Sequence, residues 1–418
     1  MKMSTLLLLA DARSAKAGGE QAMAARQRAR LTELVAWART RSRYYQYLYR
    51  DLPATVNDLA LLPPTSKREL MAAFDDWVTD PAVTLAQARA FSGDPARIGE
   101  PFAGRYTLST TSGTTGTHGI FLQGARAAAV TSAMMARMLA GWLSVRDVAR
   151  IARGGARMAL VIPEGGHFAS TVAAARLRGR SRVAALSVHQ PLDNLVAELN
   201  AFRPAVLAPY ASVGALLAGE AEAGRLHIDP ALVMLTAEGL PTGEYARIAA
   251  ALQAKVRTSY ACNECPFLSY GCSESWMHLN ADWAVLEPVD ERYRPVAPGE
   301  PSHTVLLTNL ANHVQPILRY DLGDSVLLQP DPCPCGHPGP ALRVQGRAAD
   351  LLTFPCPDPE TLWRQIEARM RHLLSRHGLG HVRLERATEP IQHSVGGKVR
   401  AVIPLSATGM DPAGSGRP

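Results

Sequence analysis

Residues 109 to 119 read Ser109-Thr110-Thr111-Ser112-Gly113-Thr114-Thr115-Gly116-Thr117-His118-Gly119, with seven hydroxyl side chains and three glycines in eleven positions. Glycines let a backbone bend and come close to a ligand. Hydroxyls and exposed backbone N–H groups then donate to phosphate oxygens, as in an anion-binding nest. The apolar Tyr106-Thr107-Leu108 before the run and Ile120-Phe121-Leu122 after it predict a loop between two strands. A phosphate clamp fits this arrangement; an ordinary Ser/Thr/Gly turn is the other reading of its composition. The Gly-Lys-Ser/Thr ending of a Walker loop is absent, and so is a dinucleotide fingerprint.

The cysteines form a second candidate centre. Six cysteines in 418 residues are not a disulfide scaffold. Cys333-Pro334-Cys335-Gly336 is a tight knuckle, and five residues separate Cys272 from His278. Three sulfurs and one imidazole make a sound tetrahedral zinc set, and four protein ligands close the shell, which makes the site structural. Buried thiols without metal are the alternative. Cys262 and Cys265 form a competing C-x-x-C.

The composition, 47% hydrophobic residues with a formal net charge of +7, indicates a globular protein long enough for several cores. Arginine clusters at Arg146, Arg150, Arg153, Arg157 and at Arg176, Arg178, Arg180, Arg182 suit an anionic small molecule, because no nucleic-acid motif accompanies them. Leu6 to Ala10 is too short to span a bilayer and a poor signal-peptide core. These features predict a cytoplasmic protein with neither membrane nor nucleic acid as partner.

Several elements must position these groups. The pattern predicts one amphipathic helix over 21–49, stopped by Pro53, then a helix capped by Thr65 or Ser66. Helical and strand signals alternate after the glycine-rich loop: helices over 127–143, 193–202, 213–224 and 244–255, strands over 158–162, 183–188, 205–209, 232–236 and 256–260. This alternation predicts a parallel sheet layered with helices. From Trp283 to Leu328 a β-rich subdomain is expected. Beyond it come a helix over 361–377, strands near Val382 and over 399–403, and a disordered tail from 406.

The ordered motifs carry a resemblance. The 109–119 loop resembles the TSGTTG phosphate loop of the adenylate-forming (AMP-forming acyl-CoA synthetase) superfamily. Tyr260-Ala261-Cys262-Asn263-Glu264 resembles its YGxTE motif, with Ala261 and Asn263 as departures. Arg319-Tyr320-Asp321-Leu322-Gly323-Asp324, preceded by Thr308-Asn309-Leu310, resembles RYxxGD. Gly346-Arg347-Ala348-Ala349-Asp350 resembles the hinge, although Ala349 replaces the usual acidic residue. Gly396-Gly397-Lys398 resembles the late lysine loop. Ser42-Arg43-Tyr44-Tyr45, Leu62 to Leu70, the cysteine set and His118 in place of a lysine all look like the phenylacetate-CoA ligase branch.

This resemblance implies an α/β fold with two domains. The large one (1–346) would hold parallel and mixed sheets layered with helices plus a β-rich subdomain; the small mobile α+β lid (347–405) would precede the 406–418 tail. It implies that Thr111, Ser112, Gly113, Thr114, Thr115 and Gly116 hold ATP phosphates. Ala237, Glu238, Gly239 and Tyr260 would lie at the adenine, Asp324 at the ribose, and Arg347 at ribose or phosphate. Glu264 would bind Mg²⁺, Lys398 would be catalytic, and zinc would be structural. His167 and Phe168 are candidate acid-pocket residues by position after a strand end. The implied reaction activates a carboxylic acid, aryl or arylacetic by family, to an acyl-adenylate and transfers it to coenzyme A. An amine, carrier-protein thiol or hydroxyl acceptor is the first alternative, and a non-catalytic zinc-stabilised nucleotide-binding protein the second. The sequence leaves the oligomeric state open, a homodimer among the options.

Overall fold

The computed structural model describes residues 5–111, 118–177, 181–347, 358–376, 379–382 and 384. The chain divides after Ala349 into two units. In the second, the described structure is the helix Pro359–Arg376, followed by a turn in which Val382 N–H donates to Leu379 O; Val382 lies in no strand. The expected strand over 399–403 and the tail fall outside the described residues.

The first unit begins with helices Thr5–Ala17 and Gly19–Arg41. The single helix expected over 21–49 is broken at Ser42, whose backbone is extended and whose hydroxyl caps a new helix, Arg43–Leu48. The break turns Tyr45 and Tyr49 into the core, where both are fully buried. Tyr45 Oη and Trp77 Nε1 both donate to the Pro316 carbonyl, at 3.0 and 2.8 Å. Ser66, rather than Thr65, caps the helix Lys67–Ala72, in a capping box with Glu69.

The hydroxyl-rich turn sits between β1 (Thr107–Thr110) and β2 (Ile120–Gln123), an antiparallel hairpin. Next come β3 (Met158–Ile162), β4 (Val183–Ser187), β5 (Val206–Pro209), β6 (Leu232–Leu235) and β7 (Lys255–Thr258). They form a parallel sheet in the order β4-β3-β5-β6-β7. Helices Leu192–Phe202, Ala211–Glu222 and Thr242–Ala251 pack on one face. The helix Ala125–Trp142 contributes Met138 and Trp142 to the other. Burial on both sides explains why β6 reads as the unbroken apolar run Leu-Val-Met-Leu.

The β-rich part holds β8 (Ser269–Gly271), β9 (Met277–Leu279), β10 (Ala284–Val289), β11 (Thr304–Asn309), β12 (Ile317–Asp321), β13 (Asp324–Leu328) and β14 (Ala341–Arg347). They make two antiparallel sheets, β10-β11-β12 and β13-β14-β9-β8. Thr65 lies along the outer edge of β12 as a single parallel bridge: its N–H donates to Arg319 O at 2.9 Å, and Asp321 N–H donates to Thr65 O at 2.8 Å.

Among the helices that the sequence pattern missed are Val145–Arg153 and Ala169–Ala175, besides Thr5–Ala17, Phe74–Trp77 and Leu85–Ser92. Val145–Arg153 buries no residue, although Val145, Val148 and Ala152 recur at helical spacing. Its arginines are partly engaged in the fold: Arg150 pairs with Asp229 and donates to Gln253 O. Among the described residues, no single helix is long and apolar enough to cross a membrane.

Candidate active site

The free edge of β1 meets the loops that follow two strands of the parallel sheet. Thr110 N–H donates to His167 O at 2.7 Å, in the loop after β3. Asn263 Nδ2 donates to Thr110 O at 3.4 Å, from the loop after β7. The base of the hydroxyl-rich turn is closed on its other side: Thr111 N–H donates to Gly119 O at 3.0 Å, and Gly119 N–H donates to Thr111 Oγ1 at 2.9 Å. The exposed His118 has Nδ1 3.3 Å from Thr111 O. Ser112, Gly113, Thr114, Thr115 and Gly116 fall outside the described residues.

From Asn263 the contacts run on into the β-rich part. Glu264 is 6% exposed, and the equally buried Tyr320 of β12 donates its hydroxyl to Glu264 Oε1 at 2.9 Å. Asn309 Nδ2 donates to the Glu264 carbonyl at 2.7 Å, fixing the backbone that presents the carboxylate. Among the described residues Oε2 makes no hydrogen bond. Tyr260 donates its hydroxyl to Asp324 Oδ2 at 2.7 Å, and Arg347 Nε lies 3.0 Å from Asp324 Oδ1. Burial, with the adjoining carboxylate second, raises the Tyr320 and Tyr260 phenols far above their ordinary range. Both stay protonated and act as donors.

Strand register places Asp324 and Arg347. They face each other across β13 and β14, and the register shifts past the next pair, Ser325 with Gly346, so that Val326 faces Val344. Gly346 has φ 135°, a conformation that side chains resist, and the irregularity re-aims the end of β14. Gly323, at φ 69°, permits the tight turn from β12 into Asp324.

At the end of β6, Ala237 takes φ 68°, costly for a non-glycine residue. Glu238 Oε2 accepts from Ser212 N–H at 3.1 Å, tying this turn to the one after β5. Ala237, Glu238 and Gly239 therefore stand at the strand end beside Tyr260. His167 is buried against Phe91, with ring centroids 5.3 Å apart, and Phe168 follows it, half-buried. His167 and Glu264 are thus linked to the base of the turn at Thr111 through Thr110 and Asn263, and Tyr260, at the start of the loop that carries Glu264, holds a second set with Asp324 and Arg347. The loops after β3 and β7 lie at the C-terminal end of the parallel sheet, where open α/β sheets bind ligands. Lys398 falls outside the described residues. Tyr320 and Asn309 were not assigned roles from sequence, although both lie within the quoted motif segments.

Cys272, His278, Cys333 and Cys335 bring their four donor atoms within 4.8 Å of one another. The Cys272 and Cys333 sulfurs are 3.7 Å apart, against about 3.8 Å for the edge of a tetrahedron with ~2.3 Å zinc–sulfur bonds. His278 Nδ1 lies 3.2 Å from Gly339 O, which can only accept, so Nε2 presents its lone pair 3.1 Å from Cys335 Sγ. This is the tautomer lock expected of a metal-ligating histidine. The residues fit a tetrahedral metal ion. His337 stacks on His278 at 4.3 Å, and burial first, with His278 second, pushes its pKa down to about 3. Cys262 and Cys265 lie outside the set, with their thiols raised chiefly by burial.

No protein-family model and no curated protein sequence matches the chain. Solved structures do. An open conformation of 2-hydroxyisobutyryl-CoA ligase, in complex with 2-HIB-AMP and CoA, is 22% identical with a TM-score of 0.58, over 78% of this chain and 75% of that one. The same ligase in its postadenylation state with R3-HIB-AMP matches at 22% identity and TM-score 0.58, over 80% of this chain and 69% of that one. With a parallel sheet, antiparallel sheets and strand-end loops gathered as described, the chain has the fold of the adenylate-forming CoA ligases.

Proposed function

We propose that this protein is an AMP-forming acid ligase that converts a carboxylic acid and ATP to an acyl-adenylate and pyrophosphate, then transfers the acyl group to coenzyme A. The observation that carries the reading is that one loop, 260–264, reaches both carboxylates and the base of the hydroxyl-rich turn: Asn263 donates to Thr110 O, Glu264 accepts from Tyr320, and Tyr260 donates to Asp324 beside Arg347.

In this reading the turn from Thr111 to Gly116 holds the triphosphate, and Ala237, Glu238, Gly239 and Tyr260 border the adenine. Asp324, held by Tyr260 and Arg347, accepts from the ribose hydroxyls. Glu264 would hold Mg²⁺ through Oε2, and the ion when bound neutralises phosphate charge. A substrate carboxylate oxygen attacks the α-phosphorus, the bond to the bridging oxygen breaks, and pyrophosphate leaves. The coenzyme A thiolate then attacks the acyl carbon and AMP departs. Lys398 stabilises the charge developing between carboxylate and α-phosphate. The second unit serves as the moving lid. The cysteine–histidine set holds a structural zinc and, with the N-terminal motifs, favours the phenylacetate-CoA ligase-like branch and an aryl or arylacetic acid.

ATP–pyrophosphate exchange across a panel of acids, with Mg²⁺, tests the first half, and product mass with coenzyme A tests the second. Acid-dependent exchange is expected. Nucleotide binding without exchange for any acid would leave a non-catalytic binding protein.

A further inference from the structure

We propose that the acid activated here carries a hydrogen-bond donor of its own, a hydroxyl or amino group, received by His167 Nδ1 and Asn263 Oδ1. The proposal rests on the acid-ligase reading of the same site. His167 is 2% exposed, and its Nε2 lies 3.1 Å from Asp94 O. A carbonyl only accepts, so Nε2 carries the proton and Nδ1 offers a lone pair. That Nδ1 is shut off from solvent and has no partner. Asn263 is oriented the same way: its amide nitrogen donates to Thr110 O, and its Oδ1 is left buried and unpartnered.

The two acceptors flank a single strand residue. Thr110 gives its N–H to His167 O and takes a bond from Asn263 on its carbonyl. The N–H and C=O of one strand residue point to the same edge. The His167 carbonyl and the Asn263 side-chain amide therefore meet the same edge of β1, where the hydroxyl-rich turn begins. Buried polar atoms without partners are uncommon and costly. Two of the same polarity beside the proposed adenylation centre are complementary to a ligand that donates. A purely hydrocarbon acid would leave both unpaired.

The test is ATP–pyrophosphate exchange by the full chain with matched trios: mandelate, 2-phenylglycine and phenylacetate; lactate, alanine and propionate; 4-hydroxybenzoate, 4-aminobenzoate and benzoate. In at least one trio a donor-bearing acid should exceed its unsubstituted parent in kcat/KM by on the order of 10²-fold or more, as sites built around a substrate hydroxyl do. The hydroxyl and amino members identify which donor is read. His167→Phe should bring that ratio to within a few-fold through a higher KM for the donor-bearing acid. His167→Asn, with an amide oxygen available where Nδ1 stood, should keep part of it. Equal kcat/KM within every active trio, or an undiminished ratio in His167→Phe, overturns the proposal and leaves acid activation standing. Exchange with no acid at all overturns both.

Discussion

Stripping the metal from the cysteine–histidine set should remove about 4 kcal/mol of stability. Cys272 and Cys333 are 61 residues apart in sequence, so the ligands come together only in the folded chain and the ion's binding free energy adds to its stability. An ion that binds only the folded state contributes about 4 kcal/mol at a free concentration roughly a thousandfold above its Kd. The loss should reach the proposed nucleotide site, because β14 pairs with β9 at His278 and carries Arg347 at its far end. Zinc is measured with a metallochromic indicator after thiol modification. Unfolding in urea is then followed by tryptophan fluorescence, with Trp276 reporting from beside the cluster, where its carbonyl accepts from Cys272 N–H. One zinc per chain is expected, together with a lower midpoint after chelation and recovery on adding zinc back. A protein purified from zinc-supplemented medium without metal, and with a midpoint indifferent to added zinc, would refute the reasoning.

Tyr320→Phe removes the hydroxyl that Glu264 accepts and should cost about 1.5–3 kcal/mol, a hydrogen bond to a charged group. Exchange activity should fall and its half-saturating Mg²⁺ concentration should rise; an unchanged Mg²⁺ dependence would reduce the contact to a structural one. Lys398→Ala should lower pyrophosphate exchange by at least ~10²-fold while transfer from preformed acyl-adenylate to coenzyme A persists. Exchange at the wild-type rate would remove Lys398 from the chemistry. His313, stacked on Trp37, is pushed down to about 4 by burial first and Arg126 second. A depressed histidine binds its proton more readily when unfolded, so its contribution is present above about pH 6.5 and is lost as pH falls toward 4. About 1–2 kcal/mol of acid sensitivity, discounted for partial exposure, should therefore disappear in His313→Gln, as read from unfolding midpoints at pH 7 and pH 5.

What was legible from sequence was whatever is written locally. The apolar runs marked the central strands β3, β5 and β6 because strands covered on both faces need continuous hydrophobic sequence, and Arg319 to Asp324 stood out as one ordered string. The helix break at Ser42 was hidden, because its tyrosine-rich continuation keeps helical propensity and only the distant Pro316 carbonyl rewards the turn. The Val145–Arg153 helix was within reach of the sequence and was missed: Val145, Val148 and Ala152 recur at helical spacing behind a Ser144–Asp147 capping box, although that face packs on no core. Tyr320 looked like a motif letter; its partner Glu264 lies 56 residues away, and no periodicity encodes that meeting. The metal set was visible because its ligand types are few and chemically distinctive.

The strip of N-terminal chain around Thr65 has a bearing on how this protein can be cut. By lying against β12 it covers backbone groups that would otherwise be open to any passing strand. Fragments starting downstream of it would expose that ribbon edge, together with the row that carries Tyr320, and would be prone to stick to one another. A trimmed version made for crystallography or engineering should therefore retain the first seventy or so residues, whatever is done at the other terminus.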